Sequence, residues 1–270
     1  NPYGRKLSKN ETLELGKHCI GIIAGVETLD EEVLTNFTHL RCISRVGVGM
    51  DNIDFNYTKN NDITVLNTPD GPTIAVIELT LGMTMSLLRK IPQAHYNMKN
   101  YIWKKETGNL LHGKKIGVIG LGRIGKGVAN LFRKLGNEVI GFDIFPDQQW
   151  ADNNKINLVE MDELIKKADI ITLHVPGNSD GTPLLSSNEF SKFKKDSILI
   201  NLSRGNVVDE ESLYLSLLEQ KISGAAIDVY AHEPYKGKLL DLDNVILTPH
   251  IGSYAKEAKL QMEIDATNNL

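Results

Sequence analysis

Lys115-Ile-Gly-Val-Ile-Gly-Leu-Gly-Arg-Ile-Gly125 decides the fold. Its opening residues are a short apolar run of the kind buried on both faces of a parallel sheet. Gly120-Leu-Gly122-Arg-Ile-Gly125 then forms a G-x-G-x-x-G turn. Beyond it, Ile124, Val128, Leu131, Phe132 and Leu135 recur at helical spacing. A glycine turn between a buried strand and an amphipathic helix is the context required for binding a dinucleotide pyrophosphate. Gly120 permits the tight turn, Gly122 lets the backbone approach the phosphates, and Gly125 lets helix and strand pack closely. The helix then presents free N–H groups and its positive dipole end to the anion.

The next strand-like run ends in Gly141-Phe-Asp143, and Asp143 lies 18 residues beyond Gly125. That spacing suits the acid that accepts from the adenosine ribose 2′-hydroxyl. Ile144 and Phe145 follow, with no cation to receive a 2′-phosphate, so NAD is the expected cofactor.

Outward from this turn, strand-like and helix-like segments alternate along most of the chain. Strands are expected at 18–24, 41–46, 63–66, 115–120, 138–143, 169–174, 197–202, 224–229 and 245–247. The fold class is therefore α/β with parallel sheets. Six of the strands follow residue 114, enough for a complete dinucleotide-binding domain. Asn67-Thr-Pro-Asp-Gly-Pro72 is a turn cluster before a long helical run. Residues 92–112 are polar, with Tyr96, Tyr101 and Trp103 interspersed, and read as an irregular connector, arm or lid.

The 270 residues are 41% apolar and 24% charged, a globular balance. A net charge of -4 offers no basic footprint for nucleic acid and no polybasic membrane patch. The apolar run 79–88 is far shorter than the roughly 20 residues of a membrane span. No charged-then-apolar leader opens the chain, and Cys19 and Cys42 read as buried reduced thiols, so a cytoplasmic protein is expected. The histidines show no zinc spacing, and no metal site is expected.

Three titratable residues lie at or just past expected strand ends, where open α/β sheets bind ligands. Arg204 follows Ile198-Leu-Ile-Asn-Leu202, Glu233 follows Ala225-Ala-Ile-Asp-Val229, and His250 follows Val245-Ile-Leu247. An Arg can hold a carboxylate bidentately, and a His can shuttle one proton near neutral pH. Each also has a bland reading: a salt-bridged turn Arg, a solvated loop acid, a backbone-bonded His. His232 rivals His250, but it does not end a strand and ranks below it. His174 ends the run 169–174 and is expected to line the cofactor cleft.

The ordered motifs carry more than their parts. They are Arg45-Val-Gly-Val-Gly-Met-Asp-Asn-Ile-Asp54, Asn67-Thr-Pro69, the glycine turn, and Asp169-Ile-Ile-Thr-Leu-His-Val-Pro176. Asn201-Leu-Ser-Arg-Gly-Asn-Val-Val-Asp-Glu210, Asp228-Val-Tyr-Ala-His-Glu-Pro234 and Thr248-Pro-His-Ile-Gly252 follow. In this order and spacing the chain resembles the D-isomer-specific 2-hydroxyacid dehydrogenases, nearest to their phosphoglycerate dehydrogenase-like branch.

The resemblance implies two Rossmann-like or flavodoxin-like domains, with the cofactor domain (69–253) inserted into a substrate domain (1–68 and 254–270). A hinge near Pro69 and Gly252 is expected. Arg204 would bind the carboxylate and carbonyl of a 2-oxo acid, His250 would be the acid/base, and Glu233 its partner. Asp228 would meet the nicotinamide carboxamide and Asp143 the ribose. Further cofactor contacts are expected at Arg123, Ile124, His174, Val175, Pro176, Leu202 and Gly252, beside Gly120, Gly122 and Gly125. The backbone of Val46, Gly47, Val48 and Gly49 would receive the substrate carboxylate, with Arg45 and Asn67 nearby. The implied activity is NAD-dependent hydride exchange at C2 of a small D-2-hydroxy acid, of the 3-phosphoglycerate, hydroxypyruvate or glyoxylate type. A homodimer through the cofactor domain is expected, without nucleic acid or membrane partners.

Three departures qualify this. The start of the chain resembles a point after the first strand and helix of the substrate domain, which is expected to be incomplete there. Ala24 stands where many phosphoglycerate-type members carry Arg, which weakens the case for a phosphorylated substrate. Asp70-Gly-Pro72-Thr73 replaces the more usual Asn-Ser. The rival reading is an NAD-sensing, corepressor-like interaction protein on the same fold, because fold does not fix function.

Overall fold

The computed structural model describes residues 2–178 and 180–270; Asn1, where the reading of the chain's start begins, lies outside them. The chain divides into two compact units, residues 1–75 with 253–270, and residues 76–252.

The smaller unit carries three parallel strands, β1 (Gly21–Ala24), β2 (Cys42–Arg45) and β3 (Thr64–Asn67), in the order β1-β2-β3. Leu29, Val33, Leu34, Phe37, Leu40, Ile43 and Ile53 form its core. The C-terminal helix Lys256–Asn268 belongs to this unit. It is tied in where Asn269 Nδ2 donates to Ser44 Oγ and to the Asn67 carbonyl, each at 3.2 Å. The division between the units falls inside helix Thr73–Leu88, not at residue 68. The first turn of that helix stays with the preceding loop, since Thr73 N donates to Asp70 O and Thr73 Oγ1 to Pro69 O.

The larger unit is a seven-stranded parallel sheet. Its strands are β4 (Lys115–Ile119), β5 (Glu138–Phe142), β6 (Asn157–Leu158), β7 (Ile170–Leu173), β8 (Ile198–Asn201), β9 (Gly224–Ile227) and β10 (Val245–Leu247), in the order β10-β9-β8-β7-β4-β5-β6. Successive strand residues serve opposite faces. Ile119, Ile140, Ile171, Leu199 and Ala225 join one core, while Val118, Val139, Ile170, Ile200 and Ala226 join the other. Helices Thr73–Leu88 and Arg123–Lys134 cover the second core, through Val76, Ile77 and Met83 and through Val128, Ala129 and Phe132. Helices Met161–Lys167 and Glu210–Leu218 cover the first, through Leu164, Ile165, Leu213 and Leu217. The chain runs outward from β4 to β6, then returns to place β7 on the other side of β4. That reversal opens a crevice at the carboxyl ends of β4 and β7.

Three expectations need correction. Residues 91–99 are a helix, not an irregular connector. Pro92 starts it without loss, because the first helical turn has no use for its missing N–H. The two-residue β6 is a seventh strand in this unit, too short to show a pattern. Cys19 precedes β1 instead of lying within it, and both cysteines are half-buried free thiols. Among the described residues, no helix is long and apolar enough to cross a membrane.

Candidate active site

The glycine turn leaves β4 at the crevice. Gly120 adopts φ +89°, and a Cβ there would lie 2.4 Å from the His174 carbonyl oxygen and 2.7 Å from Val175 Cγ1. The turn is thus packed against the chain leaving β7. A Cβ on Gly125 would sit 1.8 Å from the Gly120 carbonyl oxygen, so only glycine lets the helix start there. Gly122 differs: a Cβ on it would meet nothing within 4 Å. It is the N-cap of helix Arg123–Lys134, and no side chain caps that end. An open N-terminus beside an open glycine fits a pyrophosphate. Asp143 stands beside the turn. Its Oδ2 accepts from Leu121 N at 2.6 Å and its Oδ1 from Phe145 N at 2.8 Å. A carboxylate has further acceptor capacity for ribose hydroxyls. The residues present fit a dinucleotide.

Of the other residues expected at this cofactor, Arg123 and Pro176 are exposed and Val175 is half-buried. Ile124 packs against the second core, and Leu202 is buried in it. His174 Nε2 lies 2.8 Å from Thr172 Oγ1. Burial pushes its imidazole down to about 3, which keeps the ring neutral at physiological pH.

The three strand-end residues converge. Arg204, Glu233 and His250 line one cavity of about 260 Å³, with Gly205, Val229, Tyr230 and Ala231. His250 Nδ1 lies 3.0 Å from both Glu233 carboxylate oxygens. An ionised carboxylate only accepts, so Nδ1 carries the proton and Nε2 is left for a ligand. Arg204 Nη1 donates to the Ser203 carbonyl at 2.8 Å. His232 is exposed and does not line the cavity.

Gly205 explains why Arg204 reaches the Glu233 loop. A Cβ on Gly205 would lie 1.9 Å from Tyr230 C and 2.4 Å from Ala231 N. The two backbones touch there, and only glycine permits it. Neither Gly205 nor Tyr230 is of a type that announces a site in sequence, and the pattern singled out neither.

Asp228, expected at the nicotinamide carboxamide, lies under the turn that carries His250. It is fully buried. Its Oδ1 accepts from Thr248 Oγ1 at 2.5 Å and Ile251 N at 2.8 Å, and its Oδ2 from Gly252 N at 2.8 Å. In this arrangement it holds the 248–252 turn. Gly252 likewise serves that turn.

In the smaller unit, the loop after β2 is held from within. Gly47 N donates to Thr68 Oγ1 at 2.7 Å, Val46 N to Ala24 O at 2.8 Å, and Asn67 Nδ2 to Val48 O at 2.9 Å. Gly47 adopts φ +129°, and the Arg45 guanidinium lies against it. Val48 is exposed and Gly49 half-buried.

Residues 81–252, more than half of the chain, match the family described as D-isomer specific 2-hydroxyacid dehydrogenase, NAD binding domain. The chain belongs to this family. Residues 81–252 are its NAD-binding domain. Over 268 residues the family member is 37% identical to D-3-phosphoglycerate dehydrogenase of a Synechocystis species, covering 98% of this chain and 48% of the relative. It thus spans about half the length of the curated relatives it matches. A solved protein of Thermus thermophilus superposes with a TM-score of 0.91 at 30% identity, covering 98% of this chain and 86% of that one. D-Lactate dehydrogenase of Aquifex aeolicus, solved with NAD and lactic acid, gives 0.86 at 28% identity, covering 97% and 84%.

Proposed function

We propose that this chain catalyses the NAD-dependent interconversion of a small D-2-hydroxy acid and its 2-oxo acid. The observation that carries the reading is the His250–Glu233 pair, 3.0 Å apart in a cavity that Arg204 also lines. The relatives named D-3-phosphoglycerate and D-lactate dehydrogenase support the substrate class. Bound NAD supplies the hydride acceptor or donor. In oxidation His250 Nε2 takes the substrate hydroxyl proton; in reduction it returns one. Glu233 stabilises the imidazolium and fixes the ring. Arg204 pairs with the substrate carboxylate and steadies negative charge on the C2 oxygen. Turnover of NADH with phosphohydroxypyruvate, hydroxypyruvate, glyoxylate and pyruvate tests the reading. At least one is reduced; no turnover with any 2-oxo acid contradicts it.

Asp143, followed by Ile144 and Phe145, sets the choice of dinucleotide. A carboxylate repels a 2′-phosphate, and neither Ile144 nor Phe145 can compensate. The kcat/KM for NADH should exceed that for NADPH. Equal values would remove Asp143 from this role.

The same reading makes the protein a cytoplasmic homodimer through its NAD-binding domain. Tyr96, Tyr101 and Trp103 are 61%, 99% and 80% exposed in or just after helix Ile91–Lys99. Aromatic side chains presented together suit an arm laid across a partner, and two-fold dimers are the commonest oligomers. Light scattering at micromolar concentration should give twice the monomer mass. A monomer would contradict the assignment.

A further inference from the structure

His250 holds an unusual backbone. Its φ is +53°, the left-handed region that residues bearing a Cβ rarely occupy. Such a conformation persists only where the surroundings over-determine it. Here they do, and the anchors meet at Thr248. Thr248 N donates to Ile227 O at 3.0 Å, joining the turn to the end of β9. His250 N folds back onto the Thr248 carbonyl at 3.0 Å. The Tyr230 hydroxyl lies 2.9 Å from the same carbonyl. The Thr248 hydroxyl donates to Asp228 Oδ1 at 2.5 Å, and that carboxylate also receives Ile251 N and Gly252 N. The two amides after His250 and the hydroxyl two residues before it therefore close on one buried carboxylate.

Tyr230 links this frame to Glu233. Its amide N lies 3.3 Å from Glu233 Oε1 while its hydroxyl reaches Thr248. Its ring is stacked on Tyr235 at 4.4 Å. Burial, with Asp228 adding to it, pushes the phenol well above its ordinary value, so it remains a donor.

We propose that Thr248 is a positioning residue for proton transfer: its hydroxyl, bonded to Asp228 beneath the turn, holds His250 in the left-handed conformation that delivers Nδ1 to Glu233. Thr248 touches no reacting atom; it acts through His250. The proposal rests on the dehydrogenase reading for its kinetic consequence, but not for its structural one.

Thr248→Val keeps the shape and removes the hydroxyl, while Thr248→Ser keeps the hydroxyl. Circular dichroism establishes that both variants fold. With the 2-oxo acid that the wild type reduces, Thr248→Val should lose about tenfold to a hundredfold in kcat, the scale of a misplaced catalytic group. Its KM and its NADH dissociation constant should stay within about twofold, and Thr248→Ser should restore kcat. The second readout needs neither substrate nor cofactor. Two-bond ¹H–¹⁵N spectra of the neutral His250 ring, assigned with His250→Gln, report which nitrogen carries the proton. Wild type and Thr248→Ser should show Nδ1–H; Thr248→Val should show a mixture of tautomers. An unchanged Nδ1–H signature in Thr248→Val overturns the proposal, as does a Thr248→Ser variant as impaired as Thr248→Val. If wild-type protein reduces no 2-oxo acid, the dehydrogenase reading fails, and the spectra still decide this proposal.

Discussion

Replacing His250 by Ala should lower kcat for 2-oxo acid reduction by about 10²-fold or more, the scale of a lost general acid. The geometry singles this residue out. Its Nδ1 is engaged by both oxygens of Glu233 at 3.0 Å, which leaves Nε2 as the only ring atom that can exchange a proton with a substrate. His232, two positions after Tyr230, is exposed and outside the cavity. His232→Ala should therefore stay within about twofold of wild type, the range of a surface change far from the chemistry. Steady-state kinetics of the two variants side by side check this. A strong loss at His232 with normal turnover at His250 reverses the assignment.

The glycine turn offers the second large effect, because two of its glycines do different jobs. Gly125→Ala places a Cβ 1.8 Å from the Gly120 carbonyl oxygen, a contact that only a shift of turn or helix can relieve. Overpacking of this kind costs about 1–3 kcal/mol, so Gly125→Ala should lower Tm measurably. Gly122→Ala meets nothing within 4 Å, at an extended φ of -72° that alanine adopts readily. Its fold should be intact. The added methyl would instead stand where a pyrophosphate approaches, and NADH binding should weaken about tenfold, or about 1.4 kcal/mol. Thermal unfolding and fluorescence titration with NADH separate the two. A destabilised Gly122→Ala, or one that binds NADH normally, contradicts the division of labour.

Much of this was legible in the sequence, for a physical reason. Parallel strands buried on both faces write themselves as short apolar runs, and β4, β5, β7, β8 and β9 did so, with ends trimmed by a residue or two. The glycine turn and Asp143 are local chemistry at fixed spacing. Arg204, Glu233 and His250 could be nominated because each ends or follows a strand, but only the folded chain shows that they share a cavity. What stayed hidden is tertiary. Asn157–Leu158 pairs as a strand because β5 presents an edge to it, not because two residues carry a pattern. Pro92 opens the stretch read as an irregular connector, yet it lies in the first turn of a helix. Gly205 looks like any turn glycine until Tyr230 and Ala231 are found against it. Asp228 gives no sign in sequence that three donors of its own chain close on it beneath the His250 turn.

The central claim is that Glu233 and His250 act as one proton-transferring pair. Steady-state kinetics of 2-oxo acid reduction, wild type against Glu233→Gln, test it most directly. Reduction requires a proton from His250, and Glu233 holds that ring by Nδ1 at 3.0 Å. Glutamine keeps the size and the hydrogen bond but not the charge that complements the imidazolium. The kcat should therefore fall by about tenfold or more in Glu233→Gln, with the NADH dissociation constant nearly unchanged. An unchanged kcat would remove Glu233 from the pair.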